Sequence, residues 1–214
     1  MKRVAFLIDG FNLYHSLREL ERLTKSPVKW LDLTKLCSGY LHAVRSALGE
    51  RVELASISYF SALATHLVPN NPDVVKRHQT YVAALESTGV LVMLSRFKEK
   101  TVTCPICGGR YRRHEEKETD VALGLRLIEL LASDACDTAV LVTGDTDLVP
   151  AIRTAKRMHP AYPVGVAFPF MRHNAELRAV ADYSFNIGQR DVQRAQLPLQ
   201  IQAGGNLLTK PPTW

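Results

Sequence analysis

Apolar and polar residues follow two different periods along the chain, and together they predict strands and helices in alternation. Short apolar runs rich in β-branched residues predict strands, and longer stretches with apolar positions three and four residues apart predict helices. The predicted strands are 3–8, 52–60, 90–94, 139–143, 164–168 and 185–187, and the predicted helices are 12–23, 33–48, 73–87, 120–132 and 148–158.

Alternating strands and helices need crossover connections, which predicts an α/β fold with a mostly parallel central sheet and helices on both faces. The runs at 4–8 and 139–143 are apolar on both faces and predict strands buried in the middle of that sheet. We expect one domain over about residues 1–190, with a cysteine-containing insert at about 96–116. The tail, 191–214, has two short apolar runs around Gly204-Gly205, which predict either a docked hairpin or a loose end.

Acidic residues stand where the two central strands end and where a buried helix begins. Asp9 ends the first run, Asp145 and Asp147 follow the second, and Asp120 opens the helix 120–132. Ligands of open α/β sheets bind at the carboxyl ends of the strands, so these acids are expected to meet there. Each acid alone could be a helix cap or a loop residue. A shared divalent cation explains all of them by one cause, because it relieves their mutual repulsion.

Carboxylates that hold Mg²⁺ or Mn²⁺ can activate a water molecule for attack on a phosphodiester. Hydrolysis by water would leave a 5′-phosphate and a 3′-hydroxyl. A phosphatase of the haloacid dehalogenase type is disfavoured, because its second acid would fall at Phe11. A dinucleotide-binding Rossmann protein is disfavoured as well, because the first strand is not followed by a glycine-rich phosphate loop.

The chain carries a formal net charge of +6, which favours a polyanionic partner such as nucleic acid. A generic basic surface explains the charge about equally well until it is combined with the predicted acidic centre. The candidate phosphate-binding residues lie in the insert, on one helical face and after a late strand: Arg110, Arg112, Arg113, Arg153, Lys156, Arg157 and Arg172.

The insert contains Cys104-Pro105-Ile106-Cys107, a spacing typical of half a structural zinc site. His114 is the candidate third ligand, and a fourth ligand is not evident. A tight hairpin with two free thiols is the alternative. The N-terminus lacks a signal-peptide pattern and apolar runs stay far below membrane-spanning length, so we expect a cytoplasmic protein without a membrane partner. The sequence leaves a homo-oligomer open.

Three segments occur in an order that resembles a known family: 7–13, 116–121 and 143–150. Together they resemble the NYN domain, in the LabA-like branch of the PIN-like nuclease superfamily, over about residues 2–187. The resemblance implies a Rossmann-like PIN fold and metal-dependent cleavage of RNA. It also implies metal-binding acids at Asp9, Asp120, Asp145 and Asp147, with Asn12 assisting the first. A catalytically weak RNA-binding or adaptor module of the same fold is the alternative, and the presence of all four acids argues against it.

Overall fold

The computed structural model describes residues 1–212 and residue 214. The strands are β1 (Lys2–Asp9), β2 (Val52–Ala62), β3 (Leu91–Thr103), β4 (Arg110–Lys117), β5 (Thr138–Val142), β6 (Val164–Phe168), β7 (Tyr183–Asn186), β8 (Gln200–Ala203) and β9 (Asn206–Thr209). The helices are α1 (Gly10–Thr24), α2 (Leu33–Leu48), α3 (Val74–Ser87), α4 (Thr119–Ala132), α5 (Val149–Met158), α6 (Ala175–Val180) and α7 (Gln189–Arg194). Short 3₁₀ turns lie at Thr65–Leu67 and Thr146–Leu148.

Within the described residues, seven strands form one sheet in the order β4-β3-β2-β1-β5-β6-β7, and every neighbouring pair is parallel except β3 and β4. This confirms the predicted α/β fold. The strand β1 shows why both faces are covered. Its residues Val4, Phe6 and Ile8 enter the core beneath α1, α2 and α3, whereas Ala5 and Leu7 enter the core beneath α4 and α5.

The direction of chain winding reverses between β1 and β5. From β1 the chain proceeds to β2 and β3 on one side, and it later returns to β5, β6 and β7 on the other. A reversal of this kind leaves a crevice at the carboxyl ends of the two central strands, which is where ligands bind in open α/β sheets. Asp9 ends β1 and Thr143 follows β5, so both lie at this crevice.

The cysteine insert is an extension of the sheet edge. The strand predicted at 90–94 continues as far as Thr103, and β4 pairs with it in antiparallel register, with Phe97 opposite Glu116 and Glu99 opposite His114. The β-branched residues of 101–103 favour this extension. The hairpin therefore places Glu116 on the outermost strand of the sheet, opposite Phe97.

The tail forms a two-stranded hairpin, β8 and β9, around Gly204 and Gly205, whose φ angles of 53° and 86° suit glycine. The segment before it is bound to the domain, because the buried indole Nε1 of Trp30 donates to the carbonyl of Pro198 at 2.8 Å. The ring of Trp214 lies 5.0 Å from that of Tyr81. In the part of the chain described, no helix combines the length and apolar character needed to cross a membrane.

Candidate active site

An acidic pocket of about 250 Å³ opens at the crevice between β1 and β5. It is lined by Asp9, Phe11, Asn12, His15, Glu116, Thr119, Asp120, Asp145 and Arg172. The structure thus brings together five of the residues singled out in the sequence: Asp9, Asn12, Asp120, Asp145 and Arg172. They come from β1, α1, the start of α4, the loop after β5 and the loop after β6.

Asp9 is fixed from two sides and is only 4% exposed. One carboxylate oxygen accepts a hydrogen bond from the backbone N–H of Asn12 at 2.9 Å, which caps α1. The other accepts from the hydroxyl of Thr143 at 2.9 Å. Burial raises the pKa of Asp9, and these hydrogen bonds oppose the rise. The carboxylate is therefore held in one orientation before any ligand arrives.

Asn12 and Thr143 connect the two central strands. The amide oxygen of Asn12 accepts from the backbone N–H of Gly144 at 3.0 Å. The hydroxyl of Thr143, while donating to Asp9, accepts from the backbone N–H of Asp145 at 3.0 Å. Both side chains thereby set the position of the loop that carries Asp145 relative to Asp9.

Asp120 lies in the first turn of α4 and is half-buried. Its pKa is raised to about 6, chiefly by burial and then by the negative charges of Asp9, Asp145, Glu116 and Asp147. Glu116 belongs to the same cluster, and its carboxylate accepts from the backbone N–H of Thr119 at 3.1 Å and from the Thr119 hydroxyl. The raised pKa of Asp120 therefore reflects burial first and the repulsion of the neighbouring carboxylates second.

Asp147 differs from the other three predicted acids in that it does not line the acidic pocket, and its part in the metal site stays a prediction. It is exposed in the 3₁₀ turn Thr146–Leu148, where its backbone N–H donates to Asp145 at 3.1 Å. The side chain of Asp145 caps this turn. Its charge still contributes to the raised pKa of Asp120.

The donor set fits a hard divalent cation. Carboxylate and amide oxygens are the ligands that Mg²⁺ and Mn²⁺ prefer, and the acids repel one another as long as no cation compensates them. Among the described residues, no three Asp, Glu, His or Cys side chains stand close enough to hold one ion jointly. Mg²⁺ tolerates this, because it commonly keeps several waters and takes only one or two carboxylates directly.

The predicted zinc ligands are not assembled in the structure. Cys104 and Cys107 lie in the turn between β3 and β4, where the backbone N–H of Cys104 donates to Gly109 at 2.8 Å. His114 lies opposite Glu99 on β3. Glu99 is four residues from Thr103, where β3 ends and the cysteine turn begins, and four residues of strand span roughly 13 Å. The ring of His114 stacks on His66 instead, at 4.5 Å. The strand register therefore removes His114 from the cysteine turn and corrects that prediction.

The predicted phosphate-binding residues are divided among several places. Arg110, Arg112 and Arg113 are exposed on β4, and Arg112 pairs with Glu99 at 3.5 Å. Arg153 is exposed on α5, 4.0 Å from Glu176, and Arg157 is exposed in the last turn of that helix. Lys156 pairs with Asp182 at 2.7 Å. Asp182 accepts a hydrogen bond from the backbone N–H of Val164, where β6 begins, so this ion pair lies at the end of the strands opposite the acids. The basic face of α5 therefore extends away from the acidic pocket, contrary to the prediction. Of the seven predicted phosphate-binding residues, only Arg172 lines the acidic pocket.

A basic groove that the sequence reasoning missed adjoins the acidic pocket. It is lined by His15, Arg18, Glu19, Arg22, Met171 and Arg172. His15 lines both the groove and the acidic pocket, and its pKa is lowered by burial and by the neighbouring charges of Arg172 and Arg18. Phe11, His15, Arg18 and Arg22 are three or four residues apart along α1, which places them on one face of the helix. This spacing is the feature of the sequence that could have predicted the groove.

A second cavity, of about 270 Å³, borders the acidic pocket on its other side. We call it the aromatic cavity, because rings of Phe11, Tyr14, Tyr59, Tyr81, Phe97 and Trp214 line it. Phe11 and His15 line both spaces. Both residues belong to α1. This helix therefore lies between the acidic pocket and the aromatic cavity and contributes side chains to each.

The repulsion within the acidic cluster predicts a pH-dependent gain in stability for Asp120→Asn. Because the pKa of Asp120 is about 6 in the folded protein and ordinarily 3.8, its carboxyl favours folding fully below about pH 4, and this contribution is lost as the pH rises past 6. We expect Asp120→Asn to raise the free energy of unfolding by about 1 kcal/mol at pH 8, an amount reduced for half-exposure, and by almost nothing at pH 4. Urea unfolding in EDTA measures both values. Asp73→Asn, an exposed acid before α3, is the control, and an equal gain at both pH values would contradict the account.

The fold and the site define an α/β protein with carboxylates at the switch point of its sheet. The sequence profile of the NYN domain family matches residues 3–188, and the chain belongs to this family, whose fold is nuclease-like.

Two comparisons add relatives. The chain is 28% identical to 6-hydroxy-3-succinoylpyridine 3-monooxygenase HspA from Pseudomonas putida, in an alignment that covers 99% of this chain and 75% of that protein. The fold of this chain is similar to that in the crystal structure of a protein of unknown function from Vibrio parahaemolyticus. The TM-score is 0.56 and the identity 21%, and the alignment covers 87% of this chain and 93% of the other.

Proposed function

We propose that this protein is a metal-dependent endoribonuclease that hydrolyses RNA phosphodiester bonds at the acidic pocket. The observation that carries the proposal is the convergence of Asp9, Asp120 and Asp145 at the switch point of a nuclease-like fold. Burial and mutual repulsion raise the pKa values of Asp9 and Asp120, so the cluster favours a cation. Membership of the NYN family supports the same reaction class.

The residues of the pocket would have two kinds of role, which are binding of the ion and positioning of the residues that bind it. One or two of Asp9, Asp120 and Asp145 would bind the ion directly and the rest through waters on the ion, and Asp147 would add negative charge from outside the pocket. Asn12 and Thr143 act as positioning residues, because they fix the Asp145 loop against Asp9. A bound Mg²⁺ or Mn²⁺ would lower the pKa of an attacking water and offset charge on the leaving oxygen. Attack by water implies that the ribose 2′-hydroxyl is not the nucleophile.

Cleavage of a labelled single-stranded RNA tests the proposal. We expect cutting by the purified protein when Mn²⁺ or Mg²⁺ is added, and none in excess EDTA. Cutting that is equally fast in EDTA would reject the metal-dependent reaction. RNA binding without cutting under every metal condition would favour the alternative of a catalytically weak RNA-binding or adaptor module.

We further propose that the basic groove binds the RNA backbone beside the acidic pocket. Arg18 and Arg172 both line the groove near His15, and phosphate contacts of this kind make affinity depend on salt. Arg18→Ala with Arg172→Ala should weaken binding about equally for all sequences and reduce the slope of log affinity against log salt by roughly 1.4, about 0.7 for each phosphate contact with a single strand. Filter binding at several salt concentrations measures this. Arg153→Ala with Arg157→Ala is the matched control on α5, and a larger loss in that pair would place the RNA on the other face.

A second candidate function rests on the aromatic cavity and on the relative HspA, whose name describes a monooxygenase of a substituted pyridine. A small aromatic substrate could occupy the cavity beside the acids. Oxygen uptake on addition of that pyridine, with a nicotinamide reductant supplied, would favour this candidate over cleavage of RNA. Absence of uptake together with metal-dependent cutting would favour the nuclease.

A further inference from the structure

The aromatic cavity has the size and lining of a site for a single planar ring. Its volume of about 270 Å³ lies just below the roughly 300–1,000 Å³ of pockets that take drug-sized ligands. The rings of Phe11 and Phe97 meet edge to face with centroids 5.6 Å apart, and Phe97 also lies 4.5 Å from His66. Aromatic walls of this kind favour stacking with a flat ligand.

The inner wall of the aromatic cavity carries a small polar cluster. Tyr59 and Ser61 are buried, and the hydroxyl of Ser61 lies 3.4 Å from Nε2 of His78. Burial lowers the pKa of His78, so its ring is neutral and offers one donor and one acceptor. An apolar slot that ends in a few hydrogen-bonding groups fits a heteroaromatic ring better than a purely apolar one.

The aromatic cavity is continuous with the compartments that would handle the RNA backbone. Phe11 and His15 line it together with the acidic pocket, and Arg18 lines it together with the basic groove. A nucleotide has the same division of chemistry, with a flat heteroaromatic base on one side of the sugar and an anionic phosphate on the other. Proteins that bind single-stranded RNA commonly hold unstacked bases against aromatic side chains.

We propose that the aromatic cavity binds one unstacked nucleobase of a single-stranded RNA whose backbone passes over His15 and Arg18. This inference rests on the proposed function and specifies its substrate: a single strand with at least one base turned out of the stack. The cations of the lining favour an RNA strand over an uncharged aromatic compound, since Arg18 and Arg77 both line the cavity and both attract phosphate.

Binding of short RNAs that lack one base tests the proposal. A single-stranded RNA is compared with copies that carry an abasic nucleotide at each position in turn, by fluorescence polarisation in EDTA so that no strand is cut. We expect one position at which loss of the base weakens binding about tenfold. Phe97→Ala should weaken binding of the intact strand by a similar factor and make it insensitive to that abasic position.

Leu94→Ala, which shortens an exposed side chain on the same strand outside the cavity, is the matched control and should bind as the wild type does. Ala64→Trp, which would add a large ring to the lining of the cavity and reduce its volume, should imitate Phe97→Ala. Equal affinity for every abasic strand, or an unchanged abasic penalty in both cavity variants, would overturn the proposal.

This measurement separates the two levels of the account. Because binding is followed in EDTA, a protein that never cuts RNA can still show the abasic penalty, and then only the nuclease proposal fails. A protein that cuts RNA with Mn²⁺ and shows no abasic penalty would retain the proposed function and lose the base site.

Discussion

Asp145→Asn is expected to abolish cleavage of RNA while leaving RNA binding unchanged or stronger. The substitution removes a negative charge that faces the phosphate and a carboxylate that would hold the ion, so the loss should exceed the roughly 10- to 100-fold that follows loss of an outer-shell partner at metal sites. The amide oxygen of Asn can still accept the hydrogen bond from the backbone N–H of Asp147, now 3.1 Å long, so the loop keeps its shape. Single-turnover cleavage and filter binding measure the two effects separately.

Asp73→Asn is the matched control for Asp145→Asn, because it makes the same chemical change at an exposed position before α3. It should leave both cleavage and binding at the wild-type level. Loss of cleavage accompanied by an equal loss of RNA binding would mean that Asp145 supports the fold of the site and not its chemistry.

Gly144→Ala is expected to destabilise the protein and to lower its activity together. A methyl group at this position would overlap the carbonyl oxygen and Cβ of Arg172, and the backbone of Arg172 cannot rotate aside as a side chain can. Overpacking of this kind typically costs about 1–3 kcal/mol. The loop that carries Asp145 and the loop that carries Arg172 would separate, and both line the acidic pocket. Urea unfolding and cleavage under saturating metal measure the two losses.

Gly39→Ala provides a control of opposite sign. Gly39 lies inside α2, and a methyl group there would meet nothing within 4 Å. Alanine is favoured over glycine in helix interiors, so this variant should be more stable by about 0.5–1 kcal/mol and fully active. Equal behaviour of the two variants would show that the contact between Gly144 and Arg172 does not hold the site together.

The central strands and their acids were predictable because local patterns determine them. Runs such as 4–8 are apolar on both faces, and β1 and β5 form where those runs lie, with Asp9 and Asp145 at their carboxyl ends. The hairpin β3–β4 was harder to predict, because its residues are exposed and polar and its pairing depends on register between distant positions. For that reason His114 was assigned to the cysteine turn, although the register places it near His66.

The predicted site was incomplete where its residues depend on tertiary contacts. His15 and Arg18 have neither a motif nor a strand end to mark them, and they reach the site because α1 begins directly after Asp9 and turns one face towards it. Thr143 is an ordinary strand-end residue in sequence, yet its hydroxyl joins Asp9 to the Asp145 loop. Asp147 lies two residues from Asp145 in sequence and yet does not line the pocket, a difference that the spacing alone does not predict.

The chemical ends of the RNA products distinguish hydrolysis by a metal-activated water from attack by the ribose 2′-hydroxyl. The purified protein is incubated with a defined RNA and Mn²⁺, and the product termini are identified by ligation-based sequencing and mass spectrometry. Water activated at the acidic pocket predicts 5′-phosphate and 3′-hydroxyl ends that appear only with the metal and disappear in Asp145→Asn. Ends with a 2′,3′-cyclic phosphate, or cleavage that persists in excess EDTA, would contradict the account.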